Sequence, residues 1–245
     1  MNDIFLNNGI KLSGEKLEKF ACFYKFLTEE NEKYNLTAIK SEKGVYLKHF
    51  ADSLIGAEFF VDNSRVLEVG SGAGFPSIPQ KINNESLNFT LIEATGKKCA
   101  FLRAAGEKLN FNNFFVLQGR AEVLAKSENY REKFDIVTAR AVARLNELLE
   151  FTVPFLKVGG KLVLYKNYSL SEINEAKTAL KTLNCEITDI KKYVLNGDEK
   201  ENAENNIVCE KDENKNERAV IIIKKKEKTP EKYPREYKQI IKKPL

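Results

Sequence analysis

The chain has 245 residues, 42% of them hydrophobic, and a formal net charge of +5. This length suffices for one well-buried core but not for two full-sized domains. We find no apolar run long enough to span a membrane and no secretion signal. The four cysteines are widely spaced, which argues against a metal site or a disulfide framework and leads us to expect a reduced, cytoplasmic protein.

The first part of the chain predicts helices. Residues 13–31 carry apolar side chains at helical spacing, among them Leu17, Phe20 and Leu27. A second helical stretch is predicted around residues 45–60. We therefore expect an N-terminal helical cap over residues 1–62.

The middle of the chain alternates between strand and helix patterns. Short apolar runs predict strands at residues 65–69, 88–92, 113–117, 134–138 and 161–165. Helices are predicted between them, at residues 97–109 and 145–156. This rhythm is typical of a doubly wound α/β fold with a mostly parallel sheet.

A helix at residues 171–183 and two strands, at 186–195 and 218–225, complete the predicted domain, which spans residues 63–228. The segment between those strands, residues 196–217, is rich in Asn, Glu and Lys and has little apolar surface. We interpret it as a mobile excursion within a hairpin.

The last residues, 229–245, are predicted to form a basic tail. From Lys224 to Leu245 there are nine Lys or Arg against three Glu, a balance of +6, so the remaining chain sums to −1. Such a tail is suited to contact phosphates, but a solvated chain end has the same composition.

A glycine-rich loop follows the first strand. Gly70, Gly72 and Gly74 are spaced as GxGxG, and Phe75 stands where a dinucleotide-binding loop has its third glycine. Glycines at this edge of a doubly wound sheet let the backbone approach a ligand closely. The pattern favours a ligand without phosphates, such as S-adenosylmethionine, over a nicotinamide cofactor.

Two further positions fit such a ligand. Glu93 ends the second strand, where an acidic side chain can accept hydrogen bonds from both ribose hydroxyls. An ordinary strand-end carboxylate is the alternative, and nicotinamide enzymes use the same device. Ala121 and Glu122 follow the third strand, in the loop that lies beside the adenine in this fold.

Several segments together resemble one family, the small-subunit ribosomal RNA methyltransferase G family, also called glucose-inhibited division protein B. The similar segments lie in order along nearly the whole chain. They are residues 34–39, 49–54, 69–76, 119–122, 138–143, 159–160 with Lys166, 233–235 and 243–245.

The resemblance implies a seven-stranded, Rossmann-like class I methyltransferase fold that transfers a methyl group from S-adenosylmethionine. The implied acceptor is N7 of a guanine in the 530 loop of 16S ribosomal RNA. The implied cofactor contacts are Gly70, Phe75, Ala121, Glu122 and Arg140, with Glu93 at the ribose.

The chain departs from the family pattern at three places. Ser77 and Asn167 each stand where the family usually has glycine, and segment 196–217 looks longer and more polar than usual. Because Ser77 lies outside the GxGxG turn, we expect cofactor binding to survive. Asn167 is expected to alter the rim of the substrate pocket, and the polar segment leaves the hairpin pairing open.

The residues themselves agree with guanine N7 as the acceptor. Residues 138–141 lack the Asn/Asp-Pro-Pro-aromatic motif used for exocyclic amines, and no cysteine lies near strand four to attack a pyrimidine. Guanine N7 has an exposed lone pair and no proton to lose. We therefore predict that no general base is required.

Three polar residues keep alternatives open. Arg140 is interpreted as a cofactor or phosphate contact, against a surface residue in a salt bridge. His49, the only histidine, is interpreted as structural or RNA-facing rather than as a base. Asp52 lies on the same predicted helix face as His49 and could pair with it.

The expected partner is 16S ribosomal RNA or the small ribosomal subunit, without a metal and with a monomeric protein favoured. The residues predicted to bind RNA are Asn35, His49, Lys97, Lys98, Arg144, Lys166 and Arg235. We expect truncation after Lys228 to weaken RNA binding more than cofactor binding. The alternatives are a methyltransferase with another substrate and a non-enzymatic RNA-binding module.

Overall fold

The computed structural model describes residues 1–140, 143–197 and 217–245. In these ranges one sheet holds seven strands in the order β3-β2-β1-β4-β5-β7-β6. The strands are β1 (Arg65–Val69), β2 (Asn88–Glu93), β3 (Phe114–Gln118), β4 (Phe134–Arg140), β5 (Leu156–Asn167), β6 (Cys185–Tyr193) and β7 (Arg218–Lys225). Strands β1 to β5 pair in parallel, and β7 lies antiparallel between β5 and β6.

The predicted doubly wound sheet is therefore confirmed, and the strand order explains its sequence pattern. β1 lies in the middle of the parallel part, and it has buried side chains on both faces of the sheet, among them Val66, Leu67 and Val69. A strand covered on both sides is a continuous apolar run, whereas the edge strand β3 is only partly buried. The chain order reverses beside β1, which places the ligand crevice at its carboxyl end.

Eleven α-helices accompany the sheet in the described ranges. They are α1 (Asn2–Asn7), α2 (Gly14–Tyr34), α3 (Glu42–Val45), α4 (Asp52–Leu54), α5 (Ser77–Asn83), α6 (Gly96–Lys108), α7 (Ala121–Leu124), α8 (Leu145–Thr152), α9 (Leu170–Glu175), α10 (Lys177–Thr182) and α11 (Tyr237–Lys242). The helix predicted at residues 13–31 is confirmed as α2, which begins after Ser13. The Ser13 hydroxyl accepts a hydrogen bond from the Lys16 N–H and caps the helix.

Two predicted helices are less regular than their patterns suggested. The stretch 45–60 is interrupted by a π-helical turn at Tyr46–Ala51 and a 3₁₀ turn at Ala57–Phe59. The helix predicted at 171–183 is divided into α9 and α10 at Ala176, whose side chain is fully buried. Apolar spacing does not distinguish these tighter and wider turns from a continuous α-helix.

The N-terminal helices pack on one face of the sheet through aromatic rings. Phe20, Phe23 and Phe50 are fully buried, and Phe23 contacts Phe75 of the glycine-rich loop with ring centroids 5.9 Å apart. Burying a phenylalanine stabilises a fold by roughly 1.5–3 kcal/mol, so this contact fixes the cap onto the sheet. The predicted domain boundaries at residues 62 and 228 stay predictions.

Residues 229–245 pack against the domain, which corrects the view of them as a solvated tail. The Arg131 guanidinium donates to the carbonyls of Thr229 and Tyr233, at 3.0 and 2.8 Å. Ile240 of α11 is fully buried. Of segment 196–217, residues 198–216 lie outside the described part of the chain, so its predicted mobility stays a prediction.

The described ranges hold no candidate for a membrane-spanning helix or a metal cluster. No helix there is long and apolar enough to cross a membrane. No group of three or more His, Cys, Asp or Glu side chains there could hold a metal ion.

Candidate active site

The glycine-rich loop between β1 and α5 requires its glycines. Gly70, Gly72 and Gly74 have φ values of 69°, 55° and 86°, a region that side chains disfavour. A Cβ on Gly74 would lie 2.4 Å from Ile78 Cδ1. The N–H groups of Gly70 and Ser71 donate to the Ile92 carbonyl and hold the loop beside β2.

The Glu93 carboxylate is already fixed against this loop. One oxygen accepts a hydrogen bond from the Gly72 N–H at 3.0 Å, and the other accepts one from the Thr95 N–H at 2.8 Å. Each carboxylate oxygen has a further lone pair. Glu93 can therefore accept hydroxyl hydrogens from a ligand without moving.

A cavity of about 160 Å³ lies at the carboxyl ends of β1, β2 and β3. Gly70, Glu93, Ala121 and Glu122 line it, as expected for four of the predicted cofactor contacts. Gly72 and Gly74 shape the adjacent loop. The backbone turn, the oriented carboxylate and the apolar walls fit S-adenosylmethionine, and we call this space the cofactor cavity.

The other two predicted cofactor contacts lie outside this cavity: Phe75 contacts Arg140, and Arg140 lines a second cavity. This cavity has a volume of about 390 Å³, and its walls include Lys48, Asp52 and Arg140. Lys166 and Arg218 complete its ring of charged side chains together with Glu172. We call it the basic cavity, because four cations and two carboxylates line it.

Asp52 is the centre of the polar contacts in the basic cavity. Its side chain is buried, and one oxygen accepts from Arg140 Nη1 at 3.0 Å. The other oxygen accepts from Tyr193 Oη at 2.8 Å and pairs with Arg218 Nη1 at 3.1 Å. The expected pairing of Asp52 with His49 is thus replaced by pairs with two arginines. Arg140 does form a salt bridge, as one alternative held, but with a buried partner.

His49 is held in one protonation state by its neighbours. Arg140 Nη2 lies 2.8 Å from Nδ1, and Thr37 Oγ1 lies 2.7 Å from Nε2. A guanidinium can only donate, so Nδ1 accepts, and Nε2 carries the proton that it donates to Thr37. Burial and the Arg140 charge lower the His49 pKa to about 3. The lone pair is engaged, and His49 cannot serve as a general base.

We therefore predict that His49 stays neutral throughout the physiological range. The imidazole NMR signals of this single histidine should show no titration between pH 5 and 8. Because the folded pKa is below the unfolded value of 6.5, stability is full above pH 6.5 and falls as the pH drops toward 3. Over this range His49 makes the free energy of unfolding fall by up to about 1.4 kcal/mol per pH unit. Chemical denaturation of His49→Gln should lack this contribution to the pH dependence of stability. A midpoint near pH 6.5 in the NMR titration of the wild-type protein would contradict the assignment.

Phe75 connects the cap, the loop and the basic cavity. The His49 ring stacks on it with centroids 4.4 Å apart and an interplanar angle of 15°. The Arg140 guanidinium lies over the same ring at 4.9 Å. One aromatic side chain thus links the glycine-rich loop to both His49 and Arg140.

The residues predicted to bind RNA lie in different settings. Lys97 and Asn35 are exposed, and Lys98 is half-buried. Arg144 is largely exposed and pairs with Glu175 at 3.3 Å. Lys166 lines the basic cavity, where its Nζ pairs with Glu172 at 2.8 Å.

Arg235 is the exception, because its guanidinium is already engaged. It donates to both carboxylate oxygens of Glu150, at 2.9 and 2.7 Å, and Glu150 is fully buried. The hydrogen bond to Glu150 raises the pKa of Arg235. A bidentate pair with a buried carboxylate is a structural role, so we no longer expect Arg235 to be a main RNA contact.

Glu68 lies fully buried beneath the loop. Neither carboxyl oxygen has a hydrogen-bond partner of good geometry in the described part of the chain, and the same holds for the nearby Ser77 hydroxyl. Burial raises the pKa of Glu68 to about 8. Burial thus favours the protonated, neutral form of this carboxyl group. Ser77 lines neither cavity. The expectation that Ser77, in place of the family's usual glycine, leaves cofactor binding intact stays a prediction.

Comparisons with known proteins show the family of the chain. The family model described as GidB, rRNA small subunit methyltransferase G, matches residues 16–207. The chain belongs to this family. The ribosomal RNA small subunit methyltransferase G of Caldanaerobacter subterraneus is 43% identical over 239 residues, covering 97% of this chain and 93% of the relative. The protein of the same name from Streptococcus agalactiae is 40% identical over 247 residues, covering 99% and 97%.

Solved structures agree on the fold. The O-methyltransferase from Bacillus cereus, in complex with SAH, superposes with a TM-score of 0.53 at 17% identity, covering 82% of this chain and 89% of that one. A SAM-dependent O-methyltransferase from Thermotoga maritima gives 0.51 at 14% identity, covering 83% and 72%. The predicted class I methyltransferase fold, family and S-adenosylmethionine cofactor are confirmed.

Some residues of the site were not predicted. Tyr193 and Arg218 reach Asp52 from β6 and β7, and Phe151 and Tyr237 line the cofactor cavity. Arg218 stands at the start of a predicted strand, and its charge at a strand end was the one available signal. Nothing in the local sequence of Tyr237 indicates its position, because packing of distant segments decides it.

Proposed function

We propose that the protein transfers a methyl group from S-adenosylmethionine to N7 of a guanosine in the 530 loop of 16S ribosomal RNA. Family membership supports the reaction, and the relatives are named for the ribosomal RNA small subunit. One observation carries the choice of atom: a basic cavity beside the glycine-rich loop whose histidine has no lone pair free to accept a proton. An acceptor that needs no deprotonation fits this cavity.

The proposed reaction requires the protein to align the two reactants and does not require it to transfer a proton. When bound, S-adenosylmethionine supplies an electrophilic methyl group on a sulfonium. Guanine N7 presents its lone pair without losing a proton, so the contribution of the chain is to hold the two reactants in line. Alignment of this kind supplies on the order of 7–11 kcal/mol in well-oriented systems.

The charges of the basic cavity suit a nucleotide. Lys48, Arg140, Lys166 and Arg218 exceed the two carboxylates by two positive charges, which favours a ligand with phosphates. Asp52 engages both arginines and so keeps negative charge close to them.

The other surface cations support RNA binding outside the cavity. Lys97 and Lys98 open α6 beside Glu93, and Arg144 precedes α8. Such groups contact phosphates and orient the RNA without reading its sequence. We expect the target guanine to be unstacked before it enters the basic cavity. We also expect a cytoplasmic, monomeric enzyme that uses no metal.

The test uses small ribosomal subunits that lack the modification. The purified protein is incubated with them and labelled S-adenosylmethionine, and the product is mapped. Label at guanine N7 in the 530 loop, formed about 100-fold more slowly with Asp52→Asn, is the expected result. Bound cofactor with no label on RNA would overturn the proposed acceptor and favour a methyltransferase with another substrate.

A further inference from the structure

We propose that the C-terminal segment, residues 229–245, is a working part of the cofactor site. Tyr237 forms the outer wall of the cofactor cavity and sets how tightly the adenosine end of S-adenosylmethionine is held. This inference rests on the proposed placement of the cofactor in that cavity. It changes the role of the segment from an RNA-binding tail to a determinant of cofactor affinity.

The segment is anchored strongly enough to place one side chain. Arg131 donates to the Thr229 and Tyr233 carbonyls, and Arg235 forms its bidentate pair with the buried Glu150. The backbone N–H of Arg235 also donates to Glu150, at 2.7 Å. These contacts hold the chain two residues before Tyr237, where α11 begins.

Two planar groups contact the ring of Tyr237. The Phe151 ring stacks on it with centroids 6.0 Å apart and an interplanar angle of 28°. The Arg120 guanidinium lies over it, 5.0 Å from the ring centre. Phe151, Arg120 and Tyr237 all line the cofactor cavity. Tyr237 is nevertheless 43% exposed.

This arrangement fits a purine. Adenine has a flat π-face, which packs against aromatic rings and against guanidinium planes. The other cavity residues near the loop, Glu93 and Gly70, suit the ribose and the backbone approach. The aromatic rings and the Arg120 guanidinium are therefore the groups left to contact the adenine. Of these groups, only Tyr237 comes from the segment that follows the last strand.

A consequence concerns truncation. Removal of residues 229–245 takes away Tyr237 and exposes Phe151 and Glu150. We expect truncation after Lys228 to weaken cofactor binding at least as strongly as RNA binding, in contrast to the expectation from charge alone. For cofactor binding, the basic side chains of the segment then matter less than the ring of Tyr237.

The experiment compares Tyr237→Ala with three other variants by calorimetric titration with S-adenosylmethionine and with adenosine. Tyr237→Ala should bind both about tenfold more weakly, as expected for loss of one aromatic contact. Tyr237→Phe should stay within about twofold of wild type. Ile241→Ala is the matched control, because Ile241 is 42% exposed on the same helix and does not line the cavity. Tyr237→Leu keeps an apolar side chain on Phe151 and decides the case if the alanine variant loses helix α11.

In steady-state assays on small subunits, the KM for S-adenosylmethionine should rise with Tyr237→Ala while kcat and the KM for the subunit hold. Affinity for both nucleosides equal to wild type in the alanine and leucine variants would overturn the inference. So would an equal loss in Ile241→Ala, which would indicate a general effect of α11. Gly72→Asp tests the placement of the cofactor separately from the role of Tyr237. If this variant also binds S-adenosylmethionine with wild-type affinity, the cofactor does not bind in the cofactor cavity.

Discussion

Gly72→Asp should bind S-adenosylmethionine at least roughly 100-fold more weakly than the wild-type protein. Gly72 has a φ of 55°, and its N–H donates to a Glu93 oxygen at 3.0 Å. Only the Gly70 carbonyl oxygen, at 3.9 Å, lies within 4 Å of an added Cβ. The new side chain would enter open space beside the cavity, where a second carboxylate repels Glu93 and occupies room needed by the ligand. Calorimetric titration measures the loss.

Gly159→Asp is the matched control for this variant. Gly159 also has a positive φ, of 83°, and an added Cβ meets nothing within 4 Å. It lies in β5, away from both cavities, so it carries the backbone strain without the ligand effect. We expect wild-type affinity from it. Unchanged affinity in Gly72→Asp would place the cofactor elsewhere, and equal losses in both variants would attribute the effect to strain.

The placement of residues around the cofactor cavity could be predicted from sequence because its determinants are local. Gly70, Gly72 and Gly74 act through backbone conformation, and the loop follows a strand whose apolar run is clear. Glu93 ends the next strand, and parallel strands bring their carboxyl ends together. Local conformation and one topological rule thus place these residues.

The basic cavity could be predicted only in part, because its geometry depends on irregular structure. The π-helical turn at Tyr46–Ala51 buries Tyr46, Leu47 and Phe50 while His49 faces Arg140. Regular helical spacing instead suggested that His49 and Asp52 pair with each other. A widened turn is not visible in the apolar pattern, and such turns are frequent at functional sites.

Tyr237 and Arg235 illustrate a second limit. Composition described their segment as basic, and charge suggested RNA contacts. Its docking depends on Glu150 and Arg131, which lie about a hundred residues earlier and whose side chains gave no local signal. Long-range pairing of a buried carboxylate with one arginine decided the outcome, and composition does not contain that information.

Asp52→Asn should lower both stability and catalysis while leaving the cofactor in place. Asp52 is buried and engages Arg140, Arg218 and Tyr193, so its loss leaves two guanidinium groups without their carboxylate. Breaking a buried ion pair by removing one partner costs roughly 3–5 kcal/mol. Because Arg140 and Arg218 line the basic cavity, their displacement should lower kcat about 100-fold, the penalty for a small misplacement of reactants.

Three measurements separate these effects. Chemical denaturation reports the stability loss, single-turnover methyl transfer to small subunits reports catalysis, and titration reports affinity for S-adenosylmethionine, which should stay within about threefold. Asp135→Asn is the control, since its pair with Lys157 is about 40% exposed on both sides and should be worth less than about 1 kcal/mol. A fall in stability without a fall in the transfer rate at saturating cofactor would make Asp52 a structural residue only. A fall in both stability and transfer rate, with unchanged cofactor affinity, would show that the Asp52 carboxylate helps to position the methyl acceptor.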